Sequence, residues 1–248
     1  MIEVRQLCRS FGTNRVLDGV TLSIDKGDSA VIIGRSGCGK SVLLKHIIGL
    51  VPPDSGEVLI AGENIVGMNE RQLLKVRHRF GMLFQSAALF DSMTVAENVG
   101  FALRRERKWT EAEMTRKIAE ALELVDLRGI EEKKPSELSG GMRKRVGLAR
   151  AIDYQPEIVL YDEPTTGLDP VVSDSIDQLI ERVCERRKVT SVVVTHDLRT
   201  VRRVGQRVFL LHAGRIQATG SAEEMFNSTD PVVQQFMQGK ADPKELLF

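Results

Sequence analysis

The sequence predicts an α/β fold around a mainly parallel sheet. Short apolar runs of strand length alternate with stretches whose apolar residues recur at helical spacing, and a glycine-rich turn joins one such run directly to a helix. A helix-rich middle interrupts the alternation and marks a lobe.

The elements follow in order. IEVRQL near the start and VTLSI at residues 20–24 alternate as half-buried strands do, with Gly12, Asn14 and Gly19 as turn residues around them. SAVII, Ser29–Ile33, is a short apolar run and reads as a buried strand. After the glycine turn, Leu43, Leu44, Ile47 and Ile48 recur at helical spacing, and PPDSGEVLI closes that helix and begins another strand. Residues 86–135 offer helices and little strand. There Thr110 and Glu113 spell a capping box, with Ile118, Ala121, Leu122 and Val125 as the apolar face behind it. The helical lobe is placed at about residues 86–155. Strand character returns in IVLY at 158–161, SVVVT at 191–195 and RVFLL at 207–211. Between the first two, Asp169 caps a helix with Pro170 at its first position, and Val172, Ile176, Leu179, Ile180 and Val183 form the buried stripe. Residues 1–226 read as one domain containing that lobe, and 227–248 as a tail with a peripheral helix around Val232, Val233, Phe236 and Met237.

At 248 residues, 42% hydrophobic and 28% charged, the chain is long enough to bury a large core. A net charge of +1 gives no overall basic field of the kind nonspecific nucleic-acid binding uses. The N-terminal MIEVRQLCRSFG does not read as a secretory signal. No segment approaches the roughly 20 apolar residues of a membrane span, so a membrane role passes through a partner. Cys8, Cys38 and Cys184 are odd in number and widely spaced, against a disulfide framework or zinc site and for a reducing compartment. Cys38 stands apart because it lies in the glycine turn ahead of a helix N-terminus, where thiolate is favoured.

GRSGCGKS, residues 34–41, matches G-x-x-x-x-G-K-[ST] between a buried strand and a helix, the setting its mechanism needs. Gly34, Gly37 and Gly39 let the backbone aim N–H groups at phosphate oxygens. Lys40 brings a positive charge to the terminal phosphates, and Ser41 offers a hydroxyl to Mg²⁺. Arg35, Ser36, Cys38 and Val42 complete this nucleotide-binding stretch. IVLYDE ends an apolar strand on Asp162 and Glu163. Burying a carboxylate costs several kcal/mol unless something offsets it. Beside a phosphate loop, Asp162 reads as a Mg²⁺ ligand and Glu163 as the base that orients and deprotonates the attacking water. His196, after SVVVT, is either satisfied by loop carbonyls or a γ-phosphate sensor. Gln85, after GMLF, has an amide suited to Mg²⁺ or water, and Phe11 either stacks on an adenine or fills core. LSGGMRKR, residues 138–145, holds a second anion cradle: Ser139, Gly140 and Gly141 ahead of a basic helix.

In the order Phe11, GRSGCGKS, Gln85, LSGGM, YDEP, GLD and His196, these pieces resemble the ATP-binding subunit of ABC transporters over nearly the whole chain. The resemblance implies a P-loop NTPase of ABC type: a mainly parallel central sheet, an N-terminal antiparallel β subdomain and a helical lobe, with ATP and Mg²⁺ as cofactors. It also explains two phosphate-binding ends on one chain. In that family two subunits pack head to tail, and each ATP lies between the glycine loop of one and the LSGG helix of the other. GLD, residues 167–169, resembles the loop that crosses to the partner, which adds Asp169 to the nucleotide-binding set.

Within the family, GRSGCGKSVLLKHIIGL, RFGMLFQSAALFDSMTVAENV, PSELSGGMRKRVGLARA and YDEPTTGLDP resemble the Mla-type lipid-transport ATPases. Met142, Val42 and Phe11 stand where glutamine, threonine and tyrosine are common. The implied partners are membrane permease subunits, an MCE-domain protein and a small STAS-domain protein, with no nucleic acid. The implied location is the cytoplasmic face of the inner membrane. Residues 86–99 would receive a permease helix, and Leu89, Phe90 and Met93 either line that groove or fill the lobe's own core. An importer ATPase for amino acids or another small solute shares the motor motifs. A soluble ABC-type ATPase of DNA repair or translation would carry two nucleotide domains, long coiled-coil insertions or a strongly basic surface, none of which is present.

Overall fold

The computed structural model describes residues 1–240, so the last part of the tail assigned to 227–248 lies outside the described residues. The chain forms two compact units: residues 1–77 together with the chain from Val193 on, and residues 78–192.

The first unit opens with β1 (Ile2–Phe11), β2 (Asn14–Ile24), β3 (Ser29–Ile33), α1 (Lys40–Ile47), β4 (Ser55–Ile60), β5 (Glu63–Asn64) and α2 (Glu70–Arg77). An antiparallel sheet runs in the order β2-β1-β4-β5. Ile2 faces Ile24, and Val4 faces Leu22, so their apolar side chains share the buried face. Two consecutive polar residues, Arg5 and Gln6, would put Leu7 on the wrong face. A bulge resolves the conflict: the register shifts between Val4 and Leu7, Gln6 turns to φ 48°, and Leu7 is buried.

The second unit contains β6 (Phe80–Leu83), α3 (Val95–Val99), α4 (Phe101–Glu106), α5 (Glu111–Leu124), a 3₁₀ turn (Pro135–Glu137), α6 (Gly140–Ile152), β7 (Ile158–Asp162) and α7 (Pro170–Arg187). β6 and β7 pair in parallel, with Phe80 opposite Ile158 and Leu83 opposite Tyr161. α6 lies so close to β6 that a Cβ on Gly81 would stand 2.0 Å from the Ala151 carbonyl oxygen. Capping boxes start α3, at Thr94 and Glu97, and α5, at Thr110 and Glu113.

β8 (Thr190–Thr195) carries the chain from the second unit back into the first, followed by α8 (Leu198–Val204), β9 (Arg207–His212), β10 (Arg215–Gly220), α9 (Ala222–Phe226) and α10 (Pro231–Met237). β3, buried at every residue, pairs in parallel with β9, and β9 pairs antiparallel with β10. The β9–β10 turn is fastened to β2: the Asp18 amide donates to the Gly214 carbonyl at 2.8 Å, and Arg215 pairs with Asp18 at 2.6 Å. The architecture is α/β, with one antiparallel sheet and parallel-paired strands covered by helices.

Candidate functional site

In the first unit the glycine loop leaves the end of β3 and enters α1. It is wedged between two strands. A Cβ on Gly34 would lie 2.4 Å from the Leu211 carbonyl oxygen of β9, and one on Gly39 would lie 2.9 Å from Val16 Cγ1 of β2. Gly39 is also the residue before α1, at φ 105°, a backbone that side chains rarely adopt. The loop then presents the N-terminus of α1 with Lys40 in its first turn. Lys40 is buried, and its ammonium donates to the carbonyls of Gly34 at 2.8 Å and Arg35 at 3.1 Å. Ser41, Val42 and Cys38 are half-buried, whereas Ser36 and Gly37 are exposed. Phe11 ends β1 and is 48% exposed, and the Arg9 guanidinium sits 4.9 Å from its ring centroid. His196 follows the buried β8 and is exposed.

In the second unit β7 ends at Asp162, half-buried, and Glu163 follows at 8% exposure. Glu163 has φ 50°, a left-handed backbone that costs a non-glycine residue about 1–2 kcal/mol. Its contacts include the Thr166 hydroxyl, which donates to Glu163 Oε2 at 3.2 Å, the Thr166 amide, which donates to the Glu163 carbonyl at 3.3 Å, and Lys144 Nζ, which donates to the same carbonyl at 3.2 Å. Lys144 also donates to the Gln85 carbonyl. Burial lowers the Lys144 ammonium to about 8, although the Asp162 and Glu163 carboxylates pull the other way. Gln85 itself is exposed. Ser139 caps the 13-residue α6, accepting from the Met142 amide at 3.3 Å; Ser139 is exposed, and Gly140 and Gly141 are half-buried. Asp169 caps α7, and its Oδ1 accepts from the Val171 and Val172 amides, both at 3.0 Å.

A glycine loop, a strand-end carboxylate pair and a second capped helix are thus on one chain. The family model for ABC transporters matches residues 17–166. The chain belongs to the ABC transporter family. It is 43% identical to a Mycobacterium leprae protein named as a probable ribonucleotide transport ATP-binding protein, over 96% of this chain and 69% of that one. It is 39% identical to the intermembrane phospholipid transport system ATP-binding protein MlaF of Haemophilus influenzae, over 98% of this chain and 92% of that one. Among solved structures, a dimeric ATP-binding cassette in a post-hydrolysis state with ADP and Pi superposes with TM-score 0.82 at 32% identity, covering 90% of this chain and 99% of the other. This chain is therefore an ABC ATP-binding subunit. No helix among its described residues is long and apolar enough to cross a membrane.

The ABC subunit distributes the sequence-predicted residues over its two units. Phe11, residues 34–42 and His196 belong to the first; Gln85, Ser139, Gly140, Gly141, Asp162, Glu163 and Asp169 belong to the second. Inside the second unit the backbones of Gln85 and Glu163 are brought together through Lys144. The loop after Gln85 is pinned twice more. Arg150 donates to the carbonyls of Ala87 and Ala88, each at 2.7 Å, and the buried Asn98 side chain bonds the Phe90 amide and the carbonyls of Phe90, Met93 and Thr94. Phe90 is partly exposed and packs on Phe101, with ring centroids 4.9 Å apart; Leu89 and Met93 are half-buried.

Sequence reasoning missed Lys144, Arg150 and Asn98. For Lys144 a signal existed: it shares helical spacing with Gly147, Leu148 and Ala151, so a charge stands on the apolar face of its helix.

Proposed function

We propose that this chain is the ATP-hydrolysing motor subunit of a membrane transporter that moves phospholipid, and that residues 1–226 form its ATPase domain. The observation that carries the cargo is the near full-length identity with the intermembrane phospholipid transport ATP-binding proteins. In this reading residues 34–41 wrap the ATP phosphates with backbone N–H groups, while Lys40 turns its ammonium from the loop carbonyls to the terminal phosphates. Phe11 stacks on the adenine. Ser41, Gln85 and Asp162 are hard oxygen donors that suit Mg²⁺, which when bound neutralises phosphate charge. Glu163 takes a proton from the attacking water as its oxygen bonds to the γ-phosphorus and the bond to the β-phosphate breaks, releasing ADP and phosphate. His196 donates a hydrogen bond to the departing phosphoryl group.

Two copies act together in this scheme. Ser139 at the start of α6 is exposed, with Gly140 and Gly141 half-buried behind it, a helix N-terminus suited to the phosphates of a second copy's ATP, and the dimeric cassette supports two copies acting together. Asp169 orders the neighbouring helix start. ATP binding closes the pair, and cleavage reopens it. Permease subunits in the membrane, an MCE-domain protein and a small STAS-domain protein complete the proposed assembly on the cytoplasmic face.

The test uses Glu163→Gln. With Mg-ATP the variant is expected to bind nucleotide, sediment as a dimer and lose at least about a hundredfold in turnover. Normal hydrolysis would remove Glu163 from the base role, and a variant that stays monomeric at saturating Mg-ATP would remove the shared site. Cargo is read by purifying the assembly from native membranes and identifying bound lipids and proteins. A second reading draws on the mycobacterial relatives named for ribonucleotide transport. Ribonucleotide rather than phospholipid as the co-purified cargo would favour it.

A further inference from the structure

Among the cations of α6 whose donors reach the backbone of other segments are Lys144 and Arg150. Lys144, 5% exposed, reaches the carbonyls of Gln85 and Glu163. Arg150, further along the same helix, reaches Ala87 and Ala88. Three of those four acceptors sit in left-handed backbone, Ala87 at φ 62°, Ala88 at 47° and Glu163 at 50°. Such conformations persist only where the surroundings over-determine them, and cationic donors are strong enough to do so. A buried ammonium is unfavourable unless hydrogen bonds and opposite charge offset it. At Lys144 both are supplied by the segments it joins, through two carbonyls and the nearby carboxylates of Asp162 and Glu163.

We propose that Lys144 is a positioning residue for ATP hydrolysis: it locks the backbones of Glu163 and Gln85 to α6, so that the residues doing chemistry move with the helix that begins at Ser139. The inference rests on the ATPase reading above. A neutral side chain of the same length cannot donate to either carbonyl, and Glu163 would relax from its left-handed backbone. Its carboxylate would leave the attacking water. Displacements near 1 Å cost up to about a hundredfold in rate. Nucleotide affinity would stay, because the ATPase reading assigns the phosphates and the adenine to the glycine loop, Lys40 and Phe11.

The experiment measures ATP turnover and ATP affinity in the full chain for Lys144→Met and Lys144→Arg, each alone and with Glu163→Gln. Lys144→Met is expected to lower kcat by about tenfold or more with KM within about twofold, and Lys144→Arg to recover much of the loss. Combined with Glu163→Gln, the methionine change should add little, since it acts through Glu163. Lys144→Gln, polar but shorter, gives the same readout should methionine prevent folding. Wild-type kcat in the neutral variants, a loss confined to KM, or a full multiplicative loss in the double variant would overturn the role of Lys144. Wild-type turnover that survives Glu163→Gln would instead overturn the catalytic reading beneath it.

Discussion

Replacing Asp153 by asparagine should remove a pH dependence from the stability of this protein. Asp153 follows α6 and is 4% exposed. Among the described residues neither carboxyl oxygen has a hydrogen-bond partner. Burial raises the acid to about 8 from an ordinary 3.8; the Tyr154 amide, Lys117 and Arg150 pull down against burial, and Glu106 adds to the rise. Between those two values the folded state keeps a proton that the unfolded chain releases. Stability therefore falls as pH rises through that window, and the penalty is absent below about pH 4. At about 1.4 kcal/mol per decade, the interval from pH 5 to 7.5 removes about 3 kcal/mol. With a urea m-value of about 3 kcal/mol/M, that moves the unfolding midpoint by about 1 M. The measurement is the urea midpoint at a series of pH values for both proteins. Asparagine has the same shape and nothing to titrate, so its curve should lie flatter by that amount. Parallel curves would refute the reasoning, because Asp153 would then be ionised inside the fold with its charge solvated or paired.

Further outcomes concern the nucleotide-binding residues. Gly34→Ala places a Cβ 2.4 Å from a backbone oxygen that cannot swing away, so ATP affinity by calorimetry should weaken at least about tenfold; unchanged affinity would mean that the loop shifts freely. Asp169→Ala removes the acceptor of two amides at the start of α7 and should cost about 1 kcal/mol in thermal unfolding, with Asp169→Asn restoring most of it. Alkylation of Cys38, half-buried in the glycine loop, should inhibit turnover and be slowed by ATP; equal labelling by mass spectrometry with and without nucleotide would count against its lying under the phosphates.

Where the sequence was legible, its signals were local. The capping box at Thr110 and Glu113, the Asp169 cap with Pro170 behind it and the apolar runs of β3, β7 and β8 each depend on neighbours a few residues away. Elements without such signals escaped. β6 is four residues long and contains a glycine. β10 alternates exposed with half-buried residues against one partner, and α2 buries only Val76. The bulge at Gln6 was equally hidden, because it reconciles two faces of a strand that only pairing defines.

The site divides in the same way. The sequence by itself determined the chemistry on offer: a glycine loop with Lys40 and Ser41, the carboxylates of Asp162 and Glu163, and a serine-glycine helix start at Ser139, all recognisable from residue type and spacing. Only the tertiary structure decided how Glu163 and Gln85 are held, because Lys144 reaches carbonyls 59 and 19 positions away along the chain. No local pattern encodes that reach. It exists because packing buries an ammonium among groups that need it, and burial is a property of the folded chain.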